Sequence, residues 1–310
     1  QLQQQFKSRT HTPLSPDDNA TVTATTTAAT MAVETALPTM VPNKIIAKSI
    51  QSVANSTGAK EGLRAEKHLV QKLNHMDEPT RIQLLQWSLG VADKGSDSFV
   101  FCTNQNRSSK VDVYSSSRNG LRVQVKSHKY GGNPNEQQCD RGSVDKFLIH
   151  HPLFKCHEKL IREWIEKPLE ADGKTVQRVT SCKKLTTQDY DSNTVDEFIS
   201  RVNDTKLSLV NFALLGTDND QSPDFLVVVD RELLRVKWYH MSNVIQYICQ
   251  FSFDTGPNKT RLCVRDHNNN TVFAMQRKGG DGGKKSSNDI QFKINVRALT
   301  SLDTFEHSLV

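Results

Sequence analysis

Three polar residues on neighbouring predicted strands have the types needed to hold a hard metal ion. Asp112 lies between two valines in the run KVDVYSS, and Gln124 and Lys126 lie two residues apart in the run LRVQVKS. Alternate residues of a strand face opposite sides, so Gln124 and Lys126 share a polar face while the apolar residues between them face the core. Mg²⁺ prefers oxygen ligands, and a lysine beside it can orient water. The pattern predicts metal-assisted phosphodiester hydrolysis.

The preferences of Mg²⁺ give each residue of this hairpin a role. Asp112 would supply negative charge, Gln124 its side-chain oxygen and Val125 its backbone carbonyl. Water and a substrate phosphate oxygen would complete the octahedral coordination. Lys126 would orient the attacking water and stabilise the charge that develops in the transition state.

A predicted helix, TGAKEGLRAEKHLVQKLNHM, brings a further carboxylate toward the site. Its apolar face is formed by residues at helical spacing, namely Leu63, Val70 and Leu73. Glu66 falls within that face, so its side chain points where a core residue would. Glu66 would hold a metal-bound water or Lys126 from outside the set of direct ligands. The alternative is a partly exposed Glu66 paired with Arg64 or Lys67.

The segment SRNG between the two runs sets the register of the hairpin. A two-residue turn would place Asp112 on the opposite side of the sheet from Gln124 and Lys126. A three-residue loop that ends in a left-handed glycine would pair Ser117 with Leu121. Asp112 would then lie opposite Lys126. We therefore predict the three-residue loop.

A basic, glycine-rich segment, AMQRKGGDGGKKSSNDIQFKINV, lies near the C-terminus. Its cations would attract a phosphate backbone, its glycines would allow close approach, and its amides and hydroxyls would reach base edges. The residues expected to contact DNA are Arg277, Lys278, Lys284, Lys285, Ser286, Ser287, Asn288, Gln291 and Lys293, together with His128 and Lys129 after the second strand of the hairpin. The spacing fails the pattern of a nucleotide-binding loop, so no nucleotide cofactor is expected. A solvated charged loop is the alternative.

The order of helix, strand and hairpin resembles the core of the PD-(D/E)xK nuclease superfamily in its Gln-x-Lys variant. The segment QRKGGDGGKKSSNDIQFK is also similar to a C-terminal motif of several type II restriction endonucleases. The resemblance assigns metal binding to Asp112 and the variant acidic position to Gln124. It assigns the role of catalytic lysine to Lys126 and that of helix carboxylate to Glu66. The sequence departs from the family at Val111, where proline is usual, and at Gln124, where a carboxylate is commoner.

The resemblance implies a restriction-endonuclease-like fold and Mg²⁺-dependent, site-specific hydrolysis of double-stranded DNA, serving the restriction of foreign DNA. A homodimer is expected, because a twofold DNA site is best read by a twofold protein. Two alternatives stay open: a repair or junction nuclease of the same superfamily, and a non-catalytic DNA-binding protein with a degenerate nuclease site.

Composition is that of a globular protein in a reducing compartment. The 310 residues are 36% hydrophobic and 24% charged, and the formal charge of +6 is compatible with an anionic partner. Six cysteines without a C-x-x-C pair argue against a zinc ribbon or a dense disulfide framework. The run HHPLFKCH matches no standard zinc spacing, so its histidines are expected to be structural. No apolar run approaches the roughly 18 to 20 residues that a membrane span requires, and the N-terminus lacks the pattern of a signal peptide. We therefore expect a soluble intracellular protein, with a virus-encoded protein acting in a host cell as one possibility.

We predict a disordered low-complexity segment at 1–42 and a nuclease domain at 43–310, with the catalytic core at about 55–235 and a β-rich DNA-recognition part at about 236–310. The expected fold class is α/β, a mixed central sheet flanked by helices with a β-rich C-terminal part. Beyond the hairpin, strands are predicted at SFVFCTN, LSLVNFALLG, DFLVVVD, TRLCVRD, TVFAMQRK and IQFKINV. Further helices are predicted at RIQLLQWSLGVA, KCHEKLIREWIEK, VDEFISRVN and SNVIQYICQ.

Overall fold

The computed structural model describes residues 57–89, 100–104, 109–116, 120–128, 136–167, 183–217, 222–230, 235–278 and 288–308. For residues 57–61 and 128 only the backbone is described. All described residues belong to one unit, Ser49–Val310. The predicted low-complexity segment 1–42 and the hairpin loop 117–119 lie outside the described residues.

Groups of helices and groups of strands follow one another along the described chain. The helices are α1 (Thr57–Asn74), α2 (Glu78–Leu89), α3 (Val144–His150), α4 (Glu158–Ile165), α5 (Ser192–Asp204), α6 (Lys206–Leu215) and α7 (Met241–Cys249), with 3-10 turns at Pro152–His157 and Val296–Leu299. The strands are β1 (Phe101–Thr103), β2 (Val113–Ser115), β3 (Arg122–His128), β4 (Glu136–Gly142), β5 (Phe225–Asp230), β6 (Arg235–His240), β7 (Phe253–Thr255), β8 (Arg261–Arg265), β9 (Thr271–Arg277), β10 (Ile290–Asn295) and β11 (Phe305–Ser308).

The strands form two sheets. A six-stranded sheet has the order β1-β2-β3-β5-β6-β11, in which β3 and β5 are parallel and the other neighbours antiparallel. A five-stranded antiparallel sheet has the order β4-β10-β9-β8-β7. The predicted fold class, a mixed α/β architecture with a β-rich C-terminal part, is confirmed. Because β3 leads into β4, the chain passes from the first sheet to the second directly after the candidate hairpin.

The six-stranded sheet buries both faces, as a sheet covered on two sides must. One face of β3 and β5, including Val123, Val125 and Val227, packs with residues of α1 and α2 in one apolar core. The other face, including Leu226 and Val228, belongs to a larger core with α3 to α7 and the inner side of the five-stranded sheet. Among the described helices, none combines the length and apolar character that crossing a membrane requires.

Of the three residues predicted for the core face of helix α1, Leu73 is buried and Val70 packs partly buried against the same core, but Leu63 was assigned wrongly. Ala65, Leu69 and Leu73 are buried at spacings of four residues, whereas Leu63 is 43% exposed. A row at i, i+4 and i+8 forms one stripe along a helix, and Leu63 lies about 200° around the axis from Ala65. Leu63 is therefore not part of the core face, and Glu66 lies at the edge of that face.

The run LSLVNFALLG is the helix α6 (Lys206–Leu215), so its assignment as a strand was wrong. Its buried residues fall at spacings of one, three and four: Leu209, Val210, Ala213 and Leu214. That periodicity belongs to a helix with one buried face. A single valine among its leucines also gives the run little of the β-branched character of a strand.

Candidate active site

Asp112 lies at the start of β2, where it is held by three hydrogen bonds to the backbone of neighbouring segments. Its amide donates to the Val123 carbonyl at 2.8 Å, and its carbonyl accepts from the Asn104 amide at 2.8 Å. Its carboxylate oxygen Oδ2 accepts from the Val125 amide at 2.7 Å. For Oδ1 no donor is found among the described residues. Asp112 is thus fixed against β3 with one carboxylate oxygen still available.

The register of the hairpin differs from the prediction by two residues. Val113 pairs with Val123, so a regular ladder would place Asp112 opposite Gln124 rather than Lys126. The predicted pairing of Asp112 with Lys126 was therefore wrong. A shift of two residues preserves which residues share a face, whereas a shift of one would reverse it.

Ser115 accounts for the shift. Its amide donates to the Leu121 carbonyl at 3.0 Å, and its Oγ accepts from the Leu121 amide at 2.8 Å. These two bonds join Ser115 to Leu121 in place of the predicted partner, Ser117. The side-chain hydroxyl supplies one of the two bonds, which explains why a prediction from turn geometry alone missed this pairing.

Two ligand atoms are proposed on β3, the backbone carbonyl of Val125 and the side-chain oxygen of Gln124. The Val125 amide points toward Asp112, and the amide and carbonyl of one strand residue face the same neighbour, so the Val125 carbonyl faces the Asp112 side of β3 too. Gln124 is only 2% exposed, and its Oε1 finds no hydrogen-bond partner among the described residues. Leaving a buried acceptor unpaired costs about 1–3 kcal/mol, so this amide oxygen is suited to a ligand that the protein itself does not supply.

Glu66, Asp112 and Lys126 form one electrostatic cluster. Burial raises the pKa of Glu66 to about 7, with a further increase from Asp112 and an opposing effect of Lys126. Burial also raises the pKa of Asp112, against the charge of Lys126, the Val125 amide and the charge of Lys110. Glu66 is partly exposed, as in the alternative considered for this residue, but in the described structure it forms no ion pair with Arg64 or Lys67. A bound cation would relieve the repulsion between the two carboxylates.

A second lysine adjoins the cluster and was missed by the sequence analysis. Lys110 donates from Nζ to the Cys139 carbonyl at 3.0 Å and forms an ion pair with Asp140. Burial lowers the pKa of Lys110 and raises that of the Cys139 thiol to about 11. Lys110 stands two residues before Asp112, but its partner is 30 residues away along the chain. Only the pairing of the folded chain brings the two together.

The donor set fits Mg²⁺ better than a softer metal. Asp112, Gln124 and Val125 offer only oxygen, and Mg²⁺ keeps several of its own waters. Among the residues that the structure describes, no group of three or more His, Cys, Asp or Glu side chains could hold a metal ion. The proposed site has one carboxylate, one side-chain amide and one backbone carbonyl, so it does not depend on a group of three such side chains.

The histidines of HHPLFKCH pack against aromatic rings. His151 lies 5.0 Å from Phe147 and 4.9 Å from Phe212, measured between ring centroids. His157 lies 5.6 Å from Phe198. These contacts agree with the structural role predicted for the run.

Some of the predicted DNA-contacting residues lie outside the described part of the chain, and the others can be placed. Outside the described residues lie Lys129, Lys284, Lys285, Ser286 and Ser287, and for His128 only the backbone is described. Arg277 and Lys278 lie at the end of β9, and Nη1 of Arg277 is buried without a partner in the described part of the chain.

The remaining predicted contacts already have partners within the protein. Asn288 Oδ1 accepts from the Lys167 amide at 3.0 Å. Gln291 is 8% exposed and donates from Nε2 to Gln138 Oε1 at 2.6 Å. Its Oε1 accepts from Gln276 Nε2 at 3.4 Å. We call Gln138, Gln291 and Gln276 the amide row; it crosses three strands, β4, β10 and β9.

Beside the amide row, Glu136 lies close to two basic side chains. Arg261 donates from Nη1 to both carboxylate oxygens of Glu136, at 2.7 and 2.9 Å. Lys293 Nζ lies 3.9 Å from the same carboxylate. Gln291 and Lys293 would have to exchange these internal contacts for contacts with DNA.

No family model and no curated protein sequence matches this chain. Among solved structures, the chain is similar to a crystal structure of the restriction endonuclease MspI in complex with its cognate DNA. The similarity has a TM-score of 0.45 at 11% identity and covers 83% of this chain and 100% of that chain. At this level it assigns neither an activity nor a residue role to this protein.

Proposed function

We propose that this protein is a Mg²⁺-dependent endonuclease that hydrolyses double-stranded DNA at specific sites. The observation that carries the proposal is a carboxylate fixed against the backbone of β3, beside a buried amide oxygen for which the described residues offer no partner. These belong to Asp112 and Gln124. Lys126 follows on the same strand and acts electrostatically on Asp112 and Glu66.

Mg²⁺, when bound, would polarise the phosphate and lower the pKa of a coordinated water. The Val125 amide holds Oδ2 of Asp112, which leaves Oδ1 to face the ion. Lys126 would place its ammonium group beside the attacking water and offset the charge that grows on the phosphate oxygens. Glu66, with a pKa of about 7, can hold a proton on its carboxylate near neutral pH.

DNA binding rests on the basic, glycine-rich segment between β9 and β10. Arg277 and Lys278 lie at the end of β9, and the predicted Lys284 and Lys285 follow in the connection. Cations at this density would neutralise phosphates and make binding strongly salt-dependent. Site-specific cleavage of both strands further implies a homodimer, and restriction of foreign DNA is the role we favour for such an activity.

A plasmid digest tests the proposal. Purified protein should cut supercoiled DNA into discrete fragments in Mg²⁺, and EDTA should abolish the cutting. Lys126→Ala should lower the cleavage rate at least about 10²-fold while DNA binding in Ca²⁺ is retained. The matched control is Lys237→Ala, which removes a lysine from β6 of the same sheet and should leave the rate unchanged.

The results also separate the two alternatives. Unchanged cleavage by Lys126→Ala, or cleavage that persists in EDTA, would exclude the proposed site. Cutting of branched DNA but not of plain duplex would indicate a repair or junction nuclease. Salt-dependent DNA binding without cleavage in any divalent cation would indicate a DNA-binding protein with a degenerate site.

A further inference from the structure

A partly buried ion pair includes Lys110, two residues before Asp112. Lys110 and Asp140 are 15% and 11% exposed, and the Lys110 ammonium group also donates to the Cys139 carbonyl. The stem of Lys110 rests on Gly216, where a Cβ atom would come within 3.1 Å of Lys110 Cγ. Gly216 ends α6 with φ of 81°, a conformation that favours glycine. The position of Lys110 is therefore set by contacts from both β4 and α6.

Lys110 is a potential competitor for the carboxylate of Asp112. It stands two residues before Asp112, and its charge acts on that carboxylate. An ammonium group that paired with Asp112 would occupy the oxygen that a divalent cation needs. Opposite charges a few ångströms apart near a protein surface attract strongly enough to compete with a weakly bound ion.

Asp140 removes this competition. Its carboxylate forms an ion pair with the ammonium group of Lys110, which also donates a hydrogen bond to the Cys139 carbonyl. Both acceptors come from β4, which belongs to the five-stranded sheet, whereas Asp112 directly precedes β2 of the six-stranded sheet. The five-stranded sheet thus holds the Lys110 ammonium group away from Asp112, the candidate metal ligand in the six-stranded sheet.

We propose that Asp140 is a positioning residue that sequesters Lys110 and so keeps the Asp112 carboxylate available to a divalent cation. The inference rests on the proposed function, because it concerns the same cation. It adds to that function a role for the five-stranded sheet: β4, which carries Asp140, pairs with β10, which follows the basic segment expected to bind DNA.

Mn²⁺ binding in the absence of DNA tests the inference without relying on activity. We would titrate the full chain with Mn²⁺ and measure free Mn²⁺ by electron paramagnetic resonance, with Asp112→Asn defining binding outside the site. Asp140→Asn should weaken binding about tenfold, because the freed Lys110 then pairs with Asp112. The double variant Lys110→Met with Asp140→Asn should return the affinity to within about threefold of the wild type.

Two further variants guard against a merely structural explanation. Lys110→Met alone, which removes the competitor, should bind Mn²⁺ at least as tightly as the wild type, and it keeps the test valid if Asp140→Asn does not fold. Glu163→Gln breaks an ion pair of 2.7 Å with Lys183 on the surface and should leave Mn²⁺ binding unchanged.

The outcomes are distinct. Wild-type affinity in Asp140→Asn, failure of the double variant to restore binding, or weaker binding in Lys110→Met would each overturn the role of Asp140 and leave the proposed nuclease intact. A wild-type protein that binds no more Mn²⁺ than Asp112→Asn would overturn both proposals.

Discussion

Two clusters of polar side chains, one on each sheet, differ in whether their polar atoms have hydrogen-bond or ion-pair partners within the protein. On the five-stranded sheet, Glu136 is paired with Arg261, and each member of the amide row bonds to the next. On strand β3 of the six-stranded sheet, Gln124 Oε1 has no partner in the described structure. Burial raises the pKa of both Glu66 and Asp112, and the charge of Asp112 raises that of Glu66 further.

The contrast separates a structural network from a site built for a ligand. Buried polar groups normally find partners, and a fully connected network rigidifies the structure around it. Groups left unpaired or with shifted pKa values instead cluster where chemistry takes place. A cation bound beside β3 would supply the interaction that Gln124 Oε1 lacks, whereas Glu136 and the amide row already have partners within the protein.

Removing the charge of Asp112 should have the largest effect. Asp112→Asn should lower the rate of DNA cleavage about 10³-fold, because the site loses the one charged ligand proposed for Mg²⁺. The same change should raise the free energy of unfolding at pH 8, because burial raises the pKa of Asp112 and the folded state then carries an unfavourable charge. Urea unfolding in EDTA measures the second effect.

The matched change in the satisfied cluster is Glu136→Gln. It leaves Arg261 without its carboxylate and should cost about 1–3 kcal/mol of stability, with no change in Mg²⁺ dependence. Should Asp112→Asn destabilise the protein as much as Glu136→Gln does, the two clusters would not differ as described.

The stability of the metal-free protein should depend on pH through Glu66. Its pKa is 4.5 when unfolded and about 7 when folded, so the folded state binds more protons between these values. The contribution of protonated Glu66 to the free energy of unfolding is therefore fully present below pH 4.5 and is lost as the pH rises through 7. The difference between wild type and Glu66→Gln should change by roughly 2–3 kcal/mol from pH 4.5 to pH 8 in urea unfolding with EDTA. A difference that stays constant over this range would mean that Glu66 is not buried beside Asp112.

Adding a charge at Gln124 should give the smallest effect. Gln124→Glu restores the carboxylate that is commoner at this position and should lower the Mg²⁺ concentration for half-maximal cleavage by about tenfold. The control, Gln138→Glu, makes the same change in the amide row and should leave this concentration unaltered. An equal response of the two variants would contradict a metal site at Gln124.

Local periodicity predicted most of the elements from which this site is built. The alternating pattern of β3, the apolar run of β5 and the helical spacing of α1 all correspond to observed elements. The sequence also placed Gln124 and Lys126 on one strand and Asp112 beside it. These assignments depend on neighbours within a few residues, which is what a sequence pattern contains.

The errors concern pairing and context. The hairpin register depended on the hydroxyl of Ser115. The buried face of α1 depended on which side of the helix packs against the sheet. Strand β4, with the sequence EQQCDRG, has too few apolar residues to indicate a strand. The meeting of Lys110 with Asp140 requires the two sheets to come together, so no spacing in the sequence could reveal it.

The parallel pairing of β3 with β5 has a consequence for how the protein folds. Val123 pairs with Phe225, so the two residues are 225 − 123 = 102 positions apart. Joining them closes a long loop before any local contact compensates for the lost entropy, and pairings of this kind form slowly. Because β3 carries Gln124 and Lys126, we expect the candidate site to mature late, after the hairpins of the five-stranded sheet have formed.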